Sequence, residues 1–282
     1  MGTSTSSAGG KGGSPFDPEW LTPDGAGSDT ASGEATPGDG EAETGNDGES
    51  SDQSQTEGGH EDADHAPNRR YAAARSHMSA YLAGGGRESL RSATKSMVSK
   101  GMGGAKRAAS TMRGTAKGAG ALGNFLASAR DGSDARITDW VDRAKQANLS
   151  ADDLILELVK EVLPDTGSMD DESMRNAAAE ALGQLYELNP DIDIFALTDS
   201  QIHDVMAITI ANDVCNRMDL QLGQTYERLK YDPQQIQLYR KDVREYVQSE
   251  VRVVMERHGA TGRDPKRLAY EVLQATLEVF VS

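Results

Sequence analysis

Residues 198–222 read Thr198-Asp-Ser-Gln-Ile202-His-Asp-Val-Met206-Ala-Ile-Thr-Ile210-Ala-Asn-Asp-Val214-Cys-Asn-Arg-Met218-Asp-Leu-Gln-Leu222. A threonine followed three residues later by glutamine is the pattern of a capping box, in which each side chain satisfies an unpaired backbone N–H at a helix start. Downstream, Ile202, Val205, Met206, Ile208, Ile210 and Val214 cover much of the helix circumference instead of one stripe. A helix that is apolar on most sides has to be surrounded, so this one should lie at the centre of a helical body.

The same signals recur on both sides of it. Asp134 to Asn148 places Ile137, Trp140, Val141 and Ala144 on one helical face. Ser150-Ala-Asp-Asp153 caps a run of Leu154, Ile155, Leu158, Val159 and Val162 that ends before Pro164. Asp171 is expected to open a helix that stops near Asn189-Pro190. Asp232-Pro233 and Asp264-Pro265 each pair a capping acid with a proline in the first turn. No alternating run suggests a sheet, since Asp191-Ile-Asp-Ile194 is too short. The expected fold is all-α, with a C-terminal helical bundle-like domain over residues 133–282.

Two chemically different segments precede that domain. Residues 69–132 form a basic, Ala/Gly-rich helical segment, and twelve Lys/Arg face Glu88 alone between 69 and 130, giving +11. Helices are expected from Arg69 to Leu82, from Arg87 to Lys100 with Gly101 as the stop, and from Ala105 to Ala129. The last holds Gly114, Gly118, Gly120 and Gly123, each costing about 1 kcal/mol relative to alanine in a helix. Glycines at that density make sense where another backbone comes close, in a partner or in the chain's own domain. Residues 1–68 carry fifteen acids against Lys11, giving −14, and fourteen glycines lie between residues 2 and 68. That composition cannot bury enough apolar surface to offset ordering entropy, so a long disordered acidic N-terminal tail is expected. Residues 131–282 carry −13, and the whole chain of 282 residues −16.

Several function classes are poorly served. A lone Cys215 allows neither an intramolecular disulfide nor a multi-thiolate metal site. No apolar run approaches membrane-spanning length and no secretory leader is evident, so a cytoplasmic location without a membrane role is expected. His60 and His65 are five residues apart, which on a helix would turn them about 140° from each other, so they do not make a zinc-protease pair. His203 reads as a capping or core-edge residue and Cys215 as a buried, inert thiol. Asp152, Asp153, Asp170, Asp171 and Glu172 sit at helix starts, where the macrodipole favours acids. With no phosphate-binding loop, nucleophile elbow or dinucleotide fingerprint, no catalytic residue, metal ligand or cofactor is assigned, and the chain reads as a non-enzyme.

The binding features lie towards the N-terminus. Gly2, exposed once Met1 is removed, heads a slim Gly/Ser/Thr lead that can thread into a narrow active site. Together with Ser6 it also satisfies a loose myristoylation pattern. Pro15, Phe16, Pro18, Trp20 and Leu21 form the one apolar island of the tail and read either as a patch that folds back on the helical domain or as a docking motif with Phe16 and Trp20 as anchors in a partner's groove. Arg87, Arg91, Lys95, Lys100, Lys106, Arg107, Arg113 and Lys117 are candidate contacts to phosphate or to an acidic partner. Aromatics that could stack on bases are few there (Tyr71, Tyr81, Phe125), so nucleic acid is the runner-up partner.

Taken together, Met1-Gly-Thr-Ser-Thr-Ser6, the Gly-rich lead and the Pro15…Pro18…Trp20 element resemble the QatB family of the bacterial Qat anti-phage defence system. Ala73-Ala-Arg-Ser76, Gly84-Gly-Gly86, Gly103-Gly-Ala105 and Met112-Arg113 ahead of Leu122 and Phe125-Leu126 extend the likeness through about residue 130. The C-terminal helices share it in general character only. Asp17 and Glu19 interrupt what is a more apolar stretch in the family, and the acidic run from Asp24 to Asp64 is an elaboration on its pattern. The resemblance implies three partners: a P-loop ATPase, a QueC-like 7-cyano-7-deazaguanine synthase and a TatD-like metal-dependent nuclease. It also implies that the QueC-like enzyme conjugates a 7-deazaguanine group to Gly2. The expectation is therefore a non-catalytic adaptor, the alternative being a nucleic-acid-binding accessory protein acting through residues 69–130.

Overall fold

The computed structural model describes residues 69–228, 232–259 and 263–282. After a short turn at Arg69–Tyr71, eleven helices follow among the described residues: α1 (Ala72–Ala80), α2 (Gly86–Ser96), α3 (Ala105–Thr111), α4 (Arg113–Asp131), α5 (Ala135–Ala147), α6 (Ala151–Val162), α7 (Met169–Leu188), α8 (Asp199–Leu222), α9 (Gln224–Arg228), α10 (Pro233–His258) and α11 (Pro265–Val281). No strand occurs among the described residues, and the all-α expectation holds.

Helix α8 is the hub that the capping box announced. The Thr198 hydroxyl accepts from the Gln201 N–H at 3.3 Å, and the Gln201 side chain accepts from the Thr198 N–H at 2.8 Å. An unbroken run from Val205 to Cys215 is buried, and α4, α7 and α10 pack around it. Helices α5, α6, α7, α10 and α11 also start on side-chain caps: Asp134, Ser150, Ser168, Asp232 and Asp264 each accept from a backbone N–H of the first turn. One expected start shifts. Ser168, three residues before Asp171, takes the cap of α7 by accepting from the Asp171 N–H at 3.1 Å, and Asp171 falls inside the first turn.

The helices of the basic segment obey different rules. None of α1 to α4 has a side-chain cap. The stretch expected as one helix from Ala105 to Ala129 is two, broken at the buried Met112. Between α1 and α2 the chain makes a wide turn over Tyr81–Gly85 in which Gly84 adopts φ +95°, a conformation that a Cβ would strain. What holds these helices is packing against the C-terminal ones. Tyr81 donates to Asp242 at 3.2 Å, its ring meets Tyr239 edge-on, and Tyr239 donates to the Leu82 carbonyl at 3.1 Å. Residues from both sides of position 132 therefore share one continuous core.

The glycines of α4 explain that sharing. This helix packs against α11, α8 and α7. A Cβ built at Gly120 would lie 2.7 Å from the Lys266 Cα; one at Gly123 would lie 2.4 Å from the Met206 sulfur, and one at Gly118 2.6 Å from Met174 Cγ. The close approach is thus made to the chain's own helices. Gly114, on the same helix, faces open space. Gly120→Ala should accordingly destabilise the fold by about 1–3 kcal/mol, because backbone has to move to admit the methyl group. Gly114→Ala should stabilise it by about 0.5–1 kcal/mol through propensity alone. Urea unfolding followed by circular dichroism separates the two, and midpoint shifts of the same sign would contradict the packing argument.

Candidate functional site

The structure sorts the eight candidate bases into two groups. Those on α2 are engaged within the fold or with a helix neighbour. The Arg87 guanidinium lies 5.6 Å from the Tyr246 ring centre, Arg91 pairs with Glu88 at 3.8 Å, and Lys95 donates to the Ser282 main-chain oxygen at 2.9 Å. Lys100, Lys106, Arg107, Arg113 and Lys117 are exposed and form no ion pair within 4 Å among the described residues. They follow one another through the turn after α2, α3 and the first turns of α4. Tyr71, Tyr81 and Phe125 are all buried, so no aromatic of this segment is presented for stacking on a base.

Beside the end of this basic strip lies a cleft of about 160 Å³ between α4, the α6–α7 connection and α7. Gly114, Lys117, Gly118 and Ala121 form one wall, while Val162, Leu163, Pro164 and Met174 supply an apolar opposite wall. Thr166 and Asp171 add the polar groups. The Thr166 hydroxyl donates to the Asp171 carboxylate; this bond, a second from the Ser168 hydroxyl and the nearby Lys117 charge hold the Asp171 carboxyl below its ordinary pKa.

Directly behind the cleft, α4 and α7 are tied to α8 through a buried carboxylate. Asp213 accepts from the Thr115 hydroxyl and, at 2.7 Å, from the Ser173 hydroxyl. Arg217 donates to it at 3.5 Å and also pairs with Asp170 at 3.3 Å. One residue earlier on α8, Asn212 accepts from Gln248 at 3.1 Å, which brings in α10. A buried charge is tolerable when several donors surround it, and Asp213 has three.

Other reactive groups are less suggestive. His203 is half-buried at the edge of a polar cleft with Asp204, Arg252 and Glu256, and its ring abuts Gly259, which fits the core-edge expectation. Cys215 is buried, and burial pushes its thiol pKa up to about 12. Among the described residues no group of His, Cys, Asp and Glu is placed to hold a metal ion, and no helix is long and apolar enough to cross a membrane. Gly2, Pro15, Phe16, Pro18, Trp20, Leu21, His60 and His65 lie outside the described residues. The sequence reading missed the apolar wall of the cleft and the Asp213 node. Val162 and Met174 read as ordinary helix-face positions, and a single Asp among apolar neighbours carries no spacing signal.

These features define a class by surface rather than by reactive centre: an all-α protein with a rigid helical body, an unpaired basic strip and an adjoining small cleft. The chain belongs to the QatB family, since the model of that family, described as Qat anti-phage system associated protein QatB, matches residues 103–280, more than half of its length. It thus has a role in Qat anti-phage defence and works in association with other components of that system. No curated protein and no solved structure matches the chain. The matched region runs through α11, so the family likeness extends across the C-terminal helices, beyond the general character their sequence suggested.

Two outcomes follow from the buried groups. Asp213→Ala should cost about 3–5 kcal/mol by stranding its donors, whereas Asp170→Ala, at an exposed pair, should cost under about 1 kcal/mol; equal unfolding midpoints would refute the node. The Cys215 thiol should resist a disulfide-exchange reagent at pH 8 in the folded protein and react at once in denaturant, because only the thiolate attacks.

Proposed function

We propose that this protein is a non-catalytic cytoplasmic adaptor of the Qat system. Its N-terminal glycine is the substrate for 7-deazaguanine conjugation by a QueC-like partner enzyme, and its helical body binds other components, a P-loop ATPase and a TatD-like nuclease. The observation that carries the reading is family membership over residues 103–280. The composition supports the division of labour, since a Gly/Ser/Thr lead with little side-chain bulk precedes a body with a packed core.

The chemistry asked of Gly2 is simple. Its unprotonated α-amine attacks the carbonyl carbon of a deazapurine carboxylate activated as an adenylate. An amide bond forms, the bond to the nucleotide phosphate breaks, and the amine's proton passes to solvent. Glycine suits this role because it has no side chain beside the nucleophile. Threading a flexible lead costs ordering entropy, which Phe16 and Trp20, with Pro15, Pro18 and Leu21, offset by fixing the chain just downstream.

A nucleic-acid-binding accessory role is the second reading, favoured by the unpaired bases on α3 and α4. The burial of Tyr71, Tyr81 and Phe125 and the net charge of −16 weigh against it.

Intact mass and N-terminal peptide sequencing of the untagged protein, produced alone and with its genomic neighbours, test the proposal. A deazapurine-sized addition on Gly2 only in the presence of the neighbours is expected. A bare Gly2 in both samples overturns the conjugation reading, and a fatty-acyl addition replaces it with a membrane scaffold. Deleting residues 15–21 should reduce the modified fraction severalfold, and an unchanged fraction refutes the anchor.

A further inference from the structure

The unpaired bases and the apolar cleft adjoin, and no single ligand chemistry discussed so far uses both. Arg113 and Lys117 are one helical turn apart on α4, so their side chains emerge from the same face. Lys117 and Gly114 also line the cleft, whose opposite wall is Val162, Leu163, Pro164 and Met174. The volume, about 160 Å³, is of the order of the ~150 Å³ that accommodates a benzene-sized group. Cations outside and an apolar slot beside them match a ligand that is acidic along its length and carries one large apolar side chain.

We infer that the α3–α4 strip and the cleft at Gly114 and Lys117 form a docking site for an acidic linear peptide segment of a partner protein, with one aromatic or aliphatic residue of that segment seated in the cleft. Charge complementarity supplies the encounter and the register. The buried side chain supplies the anchor, as in other peptide-recognition grooves. A nucleic-acid backbone fits less well. Its phosphates gain nothing from an apolar wall, and the aromatics of residues 69–130 are buried where no base can stack on them. The wall also needs no rearrangement: Thr115, between Arg113 and Lys117, is bonded to buried Asp213, which fixes this turn of α4.

The inference rests on the partner-binding half of the proposed function and is independent of the chemistry at Gly2. It is tested on the full chain by fluorescence anisotropy, at 50 and 200 mM NaCl, with three probes: a labelled nonapeptide of aspartate and glutamate with one central phenylalanine, the same peptide with alanine at the centre, and a 20-base-pair DNA duplex. Saturable binding of the first peptide is expected, at least tenfold tighter than that of the second and tighter than that of the duplex. The charge-reversal pair R113E/K117E should weaken it at least tenfold. Gly114→Leu should do the same by filling the cleft, and because a Cβ there meets no neighbouring atom its melting temperature should not fall, which separates a blocked site from a damaged fold. R252E, at the other cleft, should leave binding within twofold. No peptide binding, binding indifferent to the phenylalanine, or tighter binding of the duplex each overturns the inference. The mass of Gly2 is read separately, so either proposal can fail alone.

Discussion

How near another backbone can come to α4 governs the rest of the structure. At Gly120 the Cα of Lys266 occupies the space where a side chain would begin. The N-terminal end of α11 is seated there, and α11 then packs against α2, α3 and α10 as well as α4. The last helix in sequence is therefore what closes the first helices onto the body. Glycine in a helix interior is unfavourable by itself, so Gly118, Gly120 and Gly123 in α4 make sense only through the close packing they permit. Leu268, Val272 and Leu273 on α11 are fully buried, and each such aliphatic side chain contributes about 1.5–3 kcal/mol when taken out of water. A few contacts of this kind outweigh the propensity lost.

The two halves of the described structure differ in how they are encoded, and the sequence was legible to the same extent. From α5 onwards, the capped helices carry a side chain that names their first residue, as with Thr198 and Gln201 or Asp264 and Pro265, so their starts could be read locally. Even the displaced start of α7 involves one capping residue outbidding another: Ser168 is as good a cap as Asp171 and lies one turn earlier. From α1 to α4 the helices begin on Tyr71, Gly85, Gly104 and Met112 without any side-chain cap. Their limits are set by what they pack on, which a linear reading cannot supply, and the break at Met112 went unseen for that reason. The close approach at the α4 glycines was legible as a need, though not its answer in the chain's own helices. The candidate site divides in the same way. The bases stand out by charge, but the separation of Arg87 and Lys95, which have partners, from Lys106 and Arg113, which do not, depends on Tyr246 and Ser282, both over 150 positions away in the chain.

Electrostatics and packing also pull in different directions along the chain. A body at −13 after residue 131 could neutralise the basic segment by direct pairing, and in α2 neighbouring groups do engage the bases. In the strip from Lys100 to Lys117 no such pairing forms, although Asp171 stands near Lys117. Asp171 is instead occupied by the Thr166 and Ser168 hydroxyls within its own helix-start motif. Exposed ion pairs stabilise a fold by at most about 1 kcal/mol, so leaving these bases unpaired costs little, and it keeps a positive surface on a protein whose overall charge is strongly negative.

A surface of this kind is useful only if it holds its shape, and the Asp213 node gives it one. The carboxylate joins Thr115 of α4 to Ser173 of α7, the two helices that border the cleft, and fixes both to the central α8. A ligand entering the cleft thus meets walls whose separation is set in advance, and ordering costs on the protein side are small. The same bonds argue against the node as a switch. Coupling between sites needs an element with two arrangements that a ligand can bias, whereas Asp213 is fully buried with every donor engaged, and moving either helix would strand a charge in the core. The node positions the binding surface, and whatever conformational change accompanies assembly of the defence system is to be sought in the partners or in segments of this chain away from α4, α7 and α8.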